Sequence, residues 1–470
     1  MILRGDLMHI NELLDVSYDF FIEGITDDSR EVKDNYIFVA TKGFYVDHFD
    51  YIEEAIQKGC VFLVVDREIA RDFPHIVVDH IDDFYQKLCI KFYQIQLDKF
   101  HLIGITGTDG KTTTTTVIKE LIKDCATIGT NGVLIGEDSI DTHNTTPCIS
   151  ELYQDLKIIQ DRHISNISME VSSEALLHNR VSNLKFDYVA ITNVTGDHLN
   201  IHGSFENYLQ SKLKILDMVK DDGYIFLNGD DFSLKNIKRK HCYTYGFLKD
   251  NDFIIEKVKY LKRKTIITLN LFDKKIKIDS PYIGKYNVYN IVLGYLIGHF
   301  FGIEDCLLLK RIRELRPIKG RCEFLDFKQN YSIVLDYAHT INGISNILDT
   351  FRNYSHIIVV TGCAGGRDKS KRRTIGELII KNCDMAIFTM DDPRFEDVDT
   401  IIDDMVGDFS NYIRIIDRKS AIHYAFDHAR DDSVVLILGK GRDNYMAIED
   451  KKISYSDYDV IQEYFENINR

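Results

Sequence analysis

The chain has 470 residues and a formal charge of −15, with 44% hydrophobic and 28% charged residues. That length implies about three compact units, and the negative surplus argues against nucleic acid or an anionic membrane as partner. Nine scattered cysteines, odd in number and without a C-x-x-C pair, indicate neither a disulfide framework nor a zinc site.

A soluble, cytoplasmic protein is expected, since the N-terminus MILRGDLMHINELLD has no apolar run long enough for a signal peptide and no stretch reaches the length of a membrane span. Met8 is an alternative start, because the amphipathic pattern of Ile10, Leu13 and Leu14 begins only there. From about residue 19 to 78, β-type runs (YIFVAT, CVFLVV, HIVVD) alternate with helical stretches, and a helix is predicted near residues 82–96. FHLIGIT then reads as a buried strand feeding GTDGKTTTTTVIKELI, with further buried strands at ISNISMEV and FDYVAIT and a helix at NVYNIVLGYLIGHFFG. Five later runs (SIVL, HIIVV, MAIFT, YIRII, VVLIL) have the rhythm of a doubly wound parallel sheet. The expected division is 1–97, 98–315 and 316–470. Asp336, Arg367, Asp392, Arg394 and Asp443 follow strands of the third unit, so they are expected to line one crevice at the strands' carboxyl ends.

The segment Gly104–Thr113, between a buried strand and a helix, reads as a phosphate loop. Gly107, Thr108 and Gly110 let backbone N–H groups close on phosphate oxygens, Lys111 supplies charge, and Thr112, followed by Thr113, can ligate Mg²⁺ at the positive end of the helix dipole. The usual spacing would put glycine at 105, where this chain has Ile105.

The variant G-x-T-G-T-x-G-K-T is how the loop is written in the Mur ligase family, which the chain resembles almost end to end. The segments DDSR (27–30), HNTTP (143–147), MEVSS (169–173), DHLNIHG (197–203), DYAHT (336–340), GCAGGRDKSKR (362–372), DDPR (391–394) and GKG (439–441) carry the resemblance. It is closest to the branch that adds the third amino acid of the cell-wall stem peptide, and it implies a three-domain α/β architecture with a central P-loop ATPase domain and a C-terminal Rossmann-like domain. The implied reaction joins a diamino acid, meso-diaminopimelate or L-lysine, to UDP-N-acetylmuramoyl-L-alanyl-D-glutamate through an acyl phosphate. ATP and Mg²⁺ are the implied cofactors, and a monomer is expected.

The resemblance also implies roles for single residues. Glu170 and His198 would hold a second Mg²⁺, and Lys212 matches a lysine carbamylated in the family, although the helical stretch alone does not distinguish it from Lys214. Asn287 would lie at the adenine, Asp336 at the ribose and Arg321 at the phosphates. Ser29 resembles a uridine-site serine, while Thr145, Thr146, Ser172, His178 and Arg180 match contacts to sugar and peptide, where hydroxyls and arginine suit an anionic ligand.

Arg367, Asp392, Arg394, Gly439 and Asp443 would surround the amino acid. Members specific for diaminopimelate read D-N-P-R, whose arginine pairs with the distal carboxylate. Here Arg394 is present, but Asp392 replaces the asparagine, and Arg442 and Asp443 replace the usual histidine and glutamate. Added carboxylates weaken attraction for a distal carboxylate and strengthen it for an ammonium, so both amino acids stay open. Glu174 and Gly196 also depart from the pattern, which would suit a nucleotide-binding regulator that has lost catalysis or a specialised ligase joining another amino acid to another carboxylate. Folylpolyglutamate synthetase, which shares the loop, lacks the N-terminal unit, HNTTP and DDPR.

Overall fold

Short, almost continuously buried strands build three larger β-sheets in succession. The computed structural model describes residues 7–42, 46–196 and 199–468; His198 lies outside them. The first sheet is parallel, with Gly24–Thr26, Tyr36–Val39, Cys60–Val65 and His75–Val77 in chain order. Phe38, Leu63 and Val65 face helix Ile52–Gln57, while Ile37, Val39, Phe62 and Val64 join Tyr85 and Leu88 of helix Ile81–Phe92. The helix expected over 82–96 ends earlier because Gln94 takes a left-handed conformation, φ 52°. Met8–His9 pairs with Phe21–Ile22 beside this unit.

The second sheet has eleven strands. Its middle is parallel and its two ends are antiparallel. One end is a meander, Phe253–Leu261, Lys264–Leu271 and Lys274–Ser280, which the sequence reading above did not include.

The third sheet adds an antiparallel edge strand, Glu323–Leu325, to the five parallel strands expected there. Val334, Val359 and Leu436 pack on one face with helices Ile341–Phe351, Arg372–Asn382 and Val398–Val406. Ile333, Ile358 and Ile437 pack on the other with helices Arg418–Asp427 and Asp457–Ile468, which makes the unit doubly wound. Among the described residues, no helix is long and apolar enough to cross a membrane.

One buried carboxyl sets a pH dependence. Burial, reinforced by Glu151 one turn away, pushes the Asp155 pKa up to about 8, and Asp155 Oδ2 has no hydrogen-bond partner. The unfolded chain ionises this group near pH ~4, so between there and 8 the folded state holds the extra proton and stability falls as pH rises. Asp155→Asn should remove a slope of up to about 1.4 kcal/mol per pH unit from urea-unfolding free energies measured from pH 5 to 8. Parallel curves for both proteins would refute this.

Candidate active site

The strand His101–Thr106 lies between Asn166–Glu170 and Phe186–Ile191, so the carboxyl ends of three parallel strands open on one edge. From the middle strand the chain turns through Gly107 and Gly110 into helix Lys111–Leu121. At Gly107 (φ 149°) a Cβ would lie 1.9 Å from Thr192 Oγ1, and at Gly110 (φ 89°) 2.6 Å from Asn290 Oδ1. Neither position has room for a side chain. The turn is braced from the next strand end: Thr192 Oγ1 donates to Asp109 O at 2.6 Å, Asp109 N to Asn193 Oδ1 at 3.0 Å, and Thr195 N to Thr108 Oγ1 at 2.9 Å.

The helix opens with threonines at 112–116, poor helix formers. Several hydroxyls bond within the protein: Thr115 and Thr116 to carbonyls one turn back, and Thr114 to Asn290 Oδ1 at 3.3 Å. Thr112 Oγ1 donates to Glu170 Oε2 at 3.0 Å and accepts from Arg321 Nη2 at 3.0 Å. Glu170, only 1% exposed, also accepts from Thr130 N at 2.8 Å. Lys111 Nζ donates to Gly107 O at 2.8 Å and Thr108 O at 2.9 Å. Lys212, 1% exposed, donates to the same Gly107 O at 2.8 Å and lies 4.4 Å from the centre of the Tyr208 ring.

Above these groups opens a cavity of about 750 Å³ that includes Thr108–Thr113, Thr145 and Glu170 on the central unit and Arg321, Asp336 and Tyr337 on the C-terminal unit. Asp336 accepts from Cys322 N at 2.6 Å and Ala338 N at 2.7 Å; burial raises its pKa, against the opposing effect of Arg321. Asp109 meets the C-terminal unit through Thr340 Oγ1 (3.4 Å) and Asn342 Nδ2 (3.2 Å). Asn287 does not line the cavity: it donates to Ile283 O at 2.8 Å and accepts from Asn290, which does line it.

The residues singled out for the sugar and peptide are partly used internally. Thr146 Oγ1 donates to Glu170 O at 2.9 Å and accepts from Ser172 N at 2.8 Å, and Ser172 caps the helix Ser173–Leu177. Arg180 donates to Thr146 O at 3.2 Å, while burial, then the charge of Arg180, lowers the His178 pKa. Glu174 occupies the first turn of that short helix, where negative charge suits the dipole. A side chain at Gly196 would meet open space. In the first sheet's unit, Ser29 Oγ donates to Glu54 Oε2 at 2.8 Å.

The expected single crevice divides in two. Asp336 lines the cavity, whereas Arg367, Asp392, Arg394, Gly439 and Asp443 do not. Asp392 and Asp443 gather around Lys440, which is 1% exposed. Its Nζ lies 2.7 Å from Asp392 Oδ1, 3.7 Å from Asp443 Oδ2 and 4.0 Å from Asp391 Oδ1. Arg394 adopts φ 51° and donates to Gly365 O at 3.0 Å; among the described residues it forms no ion pair with Asp392. Arg367 is exposed on the neighbouring loop, and Gly439 is where a Cβ would come within 2.5 Å of Asp391 Oδ2. Arg442 grips Glu323 with two hydrogen bonds, at 2.9 and 2.6 Å, and stacks on Tyr458.

Known proteins match this chain in sequence and share its fold. The Mur ligase middle domain model matches residues 105–298, and the model of the Mur ligase glutamate ligase domain matches 320–441. A UDP-N-acetylmuramoyl-L-alanyl-D-glutamate–2,6-diaminopimelate ligase of Bacillus cereus is 34% identical over 459 residues, 94% of either chain. The chain belongs to the Mur ligase family. The Clostridium tetani ligase of the same name is 34% identical over 97% of both chains. A solved structure of a ligase with that name superposes with a TM-score of 0.66 at 24% identity, covering 99% of this chain and 100% of that one. The MurF ligase of Thermotoga maritima in complex with ADP gives a TM-score of 0.64 at 18% identity, covering 94% and 97%. At these identities the two structures speak for the fold.

In this Mur ligase, sequence reasoning passed over Lys440, Tyr337, Asp109 and Asn290. Lys440 stood in the quoted GKG, where a lysine between two glycines beside acidic strand ends was the available signal.

Proposed function

We propose that this chain joins a diamino acid, meso-diaminopimelate in preference to L-lysine, to the D-glutamate carboxylate of UDP-N-acetylmuramoyl-L-alanyl-D-glutamate with conversion of ATP to ADP and phosphate. The observation that carries the reading is Arg321 reaching Thr112 across the cavity, which brings a C-terminal guanidinium to the phosphate loop beside buried Glu170. The named ligases 34% identical over nearly the whole chain support the substrate.

In the proposed mechanism a carboxylate oxygen attacks the γ-phosphorus, the bond to ADP breaks, and the acyl phosphate forms. The amine nitrogen then attacks the acyl carbon, phosphate leaves, and the nitrogen loses a proton as the amide forms. Two anions must meet, so Lys111 and Arg321 neutralise charge that grows in the transition state. Asp336 would take the ribose hydroxyls. Thr112 and Glu170 are hard oxygen donors suited to Mg²⁺, which when bound would spread phosphate charge. As an ammonium, Lys212 does not fit a metal; as a carbamate it would. Two ammonium groups on Gly107 O repel each other, and carbamylation would replace one with an anion. The reading includes the three domains at 1–97, 98–315 and 316–470, a cytoplasmic location and a monomer. It also takes Ser29 to the uridine and Thr145, Thr146, Ser172, His178 and Arg180 to the muramoyl peptide.

The preference for diaminopimelate follows from Lys440. Because Asp392 pairs with Lys440, Arg394 keeps its charge for a distal carboxylate, with Arg367 and Asp443 completing the site. The test of the function is formation of the tripeptide product and ADP only when dipeptide, amino acid and ATP are all supplied; ADP release indifferent to the dipeptide would overturn it. The ratio of kcat/KM for diaminopimelate over lysine should fall roughly 10- to 100-fold in Arg394→Ala and rise in Asp392→Asn. A ratio unchanged in both variants would remove these residues from the pocket.

A further inference from the structure

Tyr337 lies between the two halves of the site. It follows Asp336 at the end of strand Ser332–Asp336, and its N–H donates to Gly320 O at 3.0 Å. Its ring fits between two glycines in left-handed conformation: a Cβ at Gly320 (φ 67°) would come within 2.7 Å of the ring, and one at Gly441 (φ 51°) within 2.3 Å. On the cavity side the Arg321 guanidinium stacks 4.6 Å from the ring centre. At the other end the phenol donates to Asp443 Oδ1 at 2.7 Å.

These contacts join a longer series. Arg321 reaches Thr112 and, through it, Glu170, while Asp443 adjoins Lys440, which pairs with Asp392. We propose that Tyr337 is a positioning residue that ties Arg321, at the phosphates, to the Asp443–Lys440–Asp392 group, at the incoming amino acid; this rests on the ligase reading above. An aromatic ring suits the task because it is stiff: only two side-chain torsions separate its stacked face from its hydroxyl. The phenol holds one oxygen of Asp443 and so fixes the carboxylate's angle beside Lys440. Asp443 is half-buried, where water only partly replaces a lost hydrogen bond.

Tyr337→Phe keeps the ring between its glycines and the stack on Arg321 but deletes the link to Asp443. We expect the KM for the amino acid to rise roughly tenfold, the effect of one charge-assisted hydrogen bond, with the KM for ATP changed less than about twofold. Combined with Asp443→Ala, the substitution should add nothing to the effect of Asp443→Ala alone, because both remove the same contact. Thermal unfolding of each variant accompanies the kinetics. An unchanged KM for the amino acid, equal rises in both KM values, or additive effects in the double variant would each overturn the proposal. Wild-type enzyme that fails to ligate the dipeptide would instead overturn the functional reading.

Discussion

Lys111→Ala is expected to lower kcat/KM for ligation by roughly a thousandfold and to leave the melting temperature near that of the wild type. Lys111 adds two hydrogen bonds to the loop's carbonyls, but the loop's shape rests mainly on other groups: the two glycines that admit no side chain, the braces from Thr192 and Asn193, and the contact with Asn290. Lys111 contributes charge at the place where negative charge is densest in the transition state, and backbone N–H groups cannot replace it. Steady-state kinetics and a thermal melt on the same preparation check this. Normal turnover would withdraw the phosphate-loop assignment, and a melt displaced by many degrees would assign the loss to folding.

Lys212→Ala should lose roughly a hundredfold in kcat and regain part of it in formate or acetate. The cause is electrostatic. Lys212 and Lys111 bring two ammonium groups to one carbonyl oxygen, and like charges repel, whereas a carbamate formed from carbon dioxide would turn one of them into a carboxylate beside the phosphate loop. A short carboxylate diffusing into the space left by alanine supplies that anion without the covalent link. The companion measurement is the intact mass of active wild-type enzyme prepared in bicarbonate. Absence of both rescue and an added carbon dioxide would leave Lys212 as a structural amine.

Most of the parallel architecture was legible because its strands are short apolar runs between recognisable turns. The same reading missed the meander at 253–280, whose strands alternate apolar and polar residues; a search for apolar runs passes over a sheet end with one wet face. Burial separates Lys212 from Lys214: Tyr208, Ser211, Lys212 and Ile215 follow helical spacing and all are buried, whereas Lys214 is exposed and donates to Leu176 O. Lys440 was not legible as the neutraliser of Asp392, because the two are 48 residues apart and meet only when the strands on either side of Ile357–Thr361 are assembled. Arg442 reads as an oddity in sequence and as a clasp in structure, since the Glu323 it holds also accepts from Gly320 N, one residue before Arg321.

The threonine-rich start of the helix at Lys111 has a consequence for the order in which the protein is made. Seven successive β-branched residues, Thr112 to Ile118, give this segment little reason to be helical alone. Its supports arrive late: Asn290, which Gly110 abuts and Thr114 contacts, lies 176 residues beyond Thr114. A ribosome therefore releases the phosphate loop long before the helix that holds it, and domains fold as their parts emerge. Until helix Lys285–Phe300 has left the tunnel, the nascent chain carries the complete nucleotide motif without part of the packing that gives it shape. Nucleotide affinity then belongs to the assembled units and not to the stretch of sequence by which it is recognised.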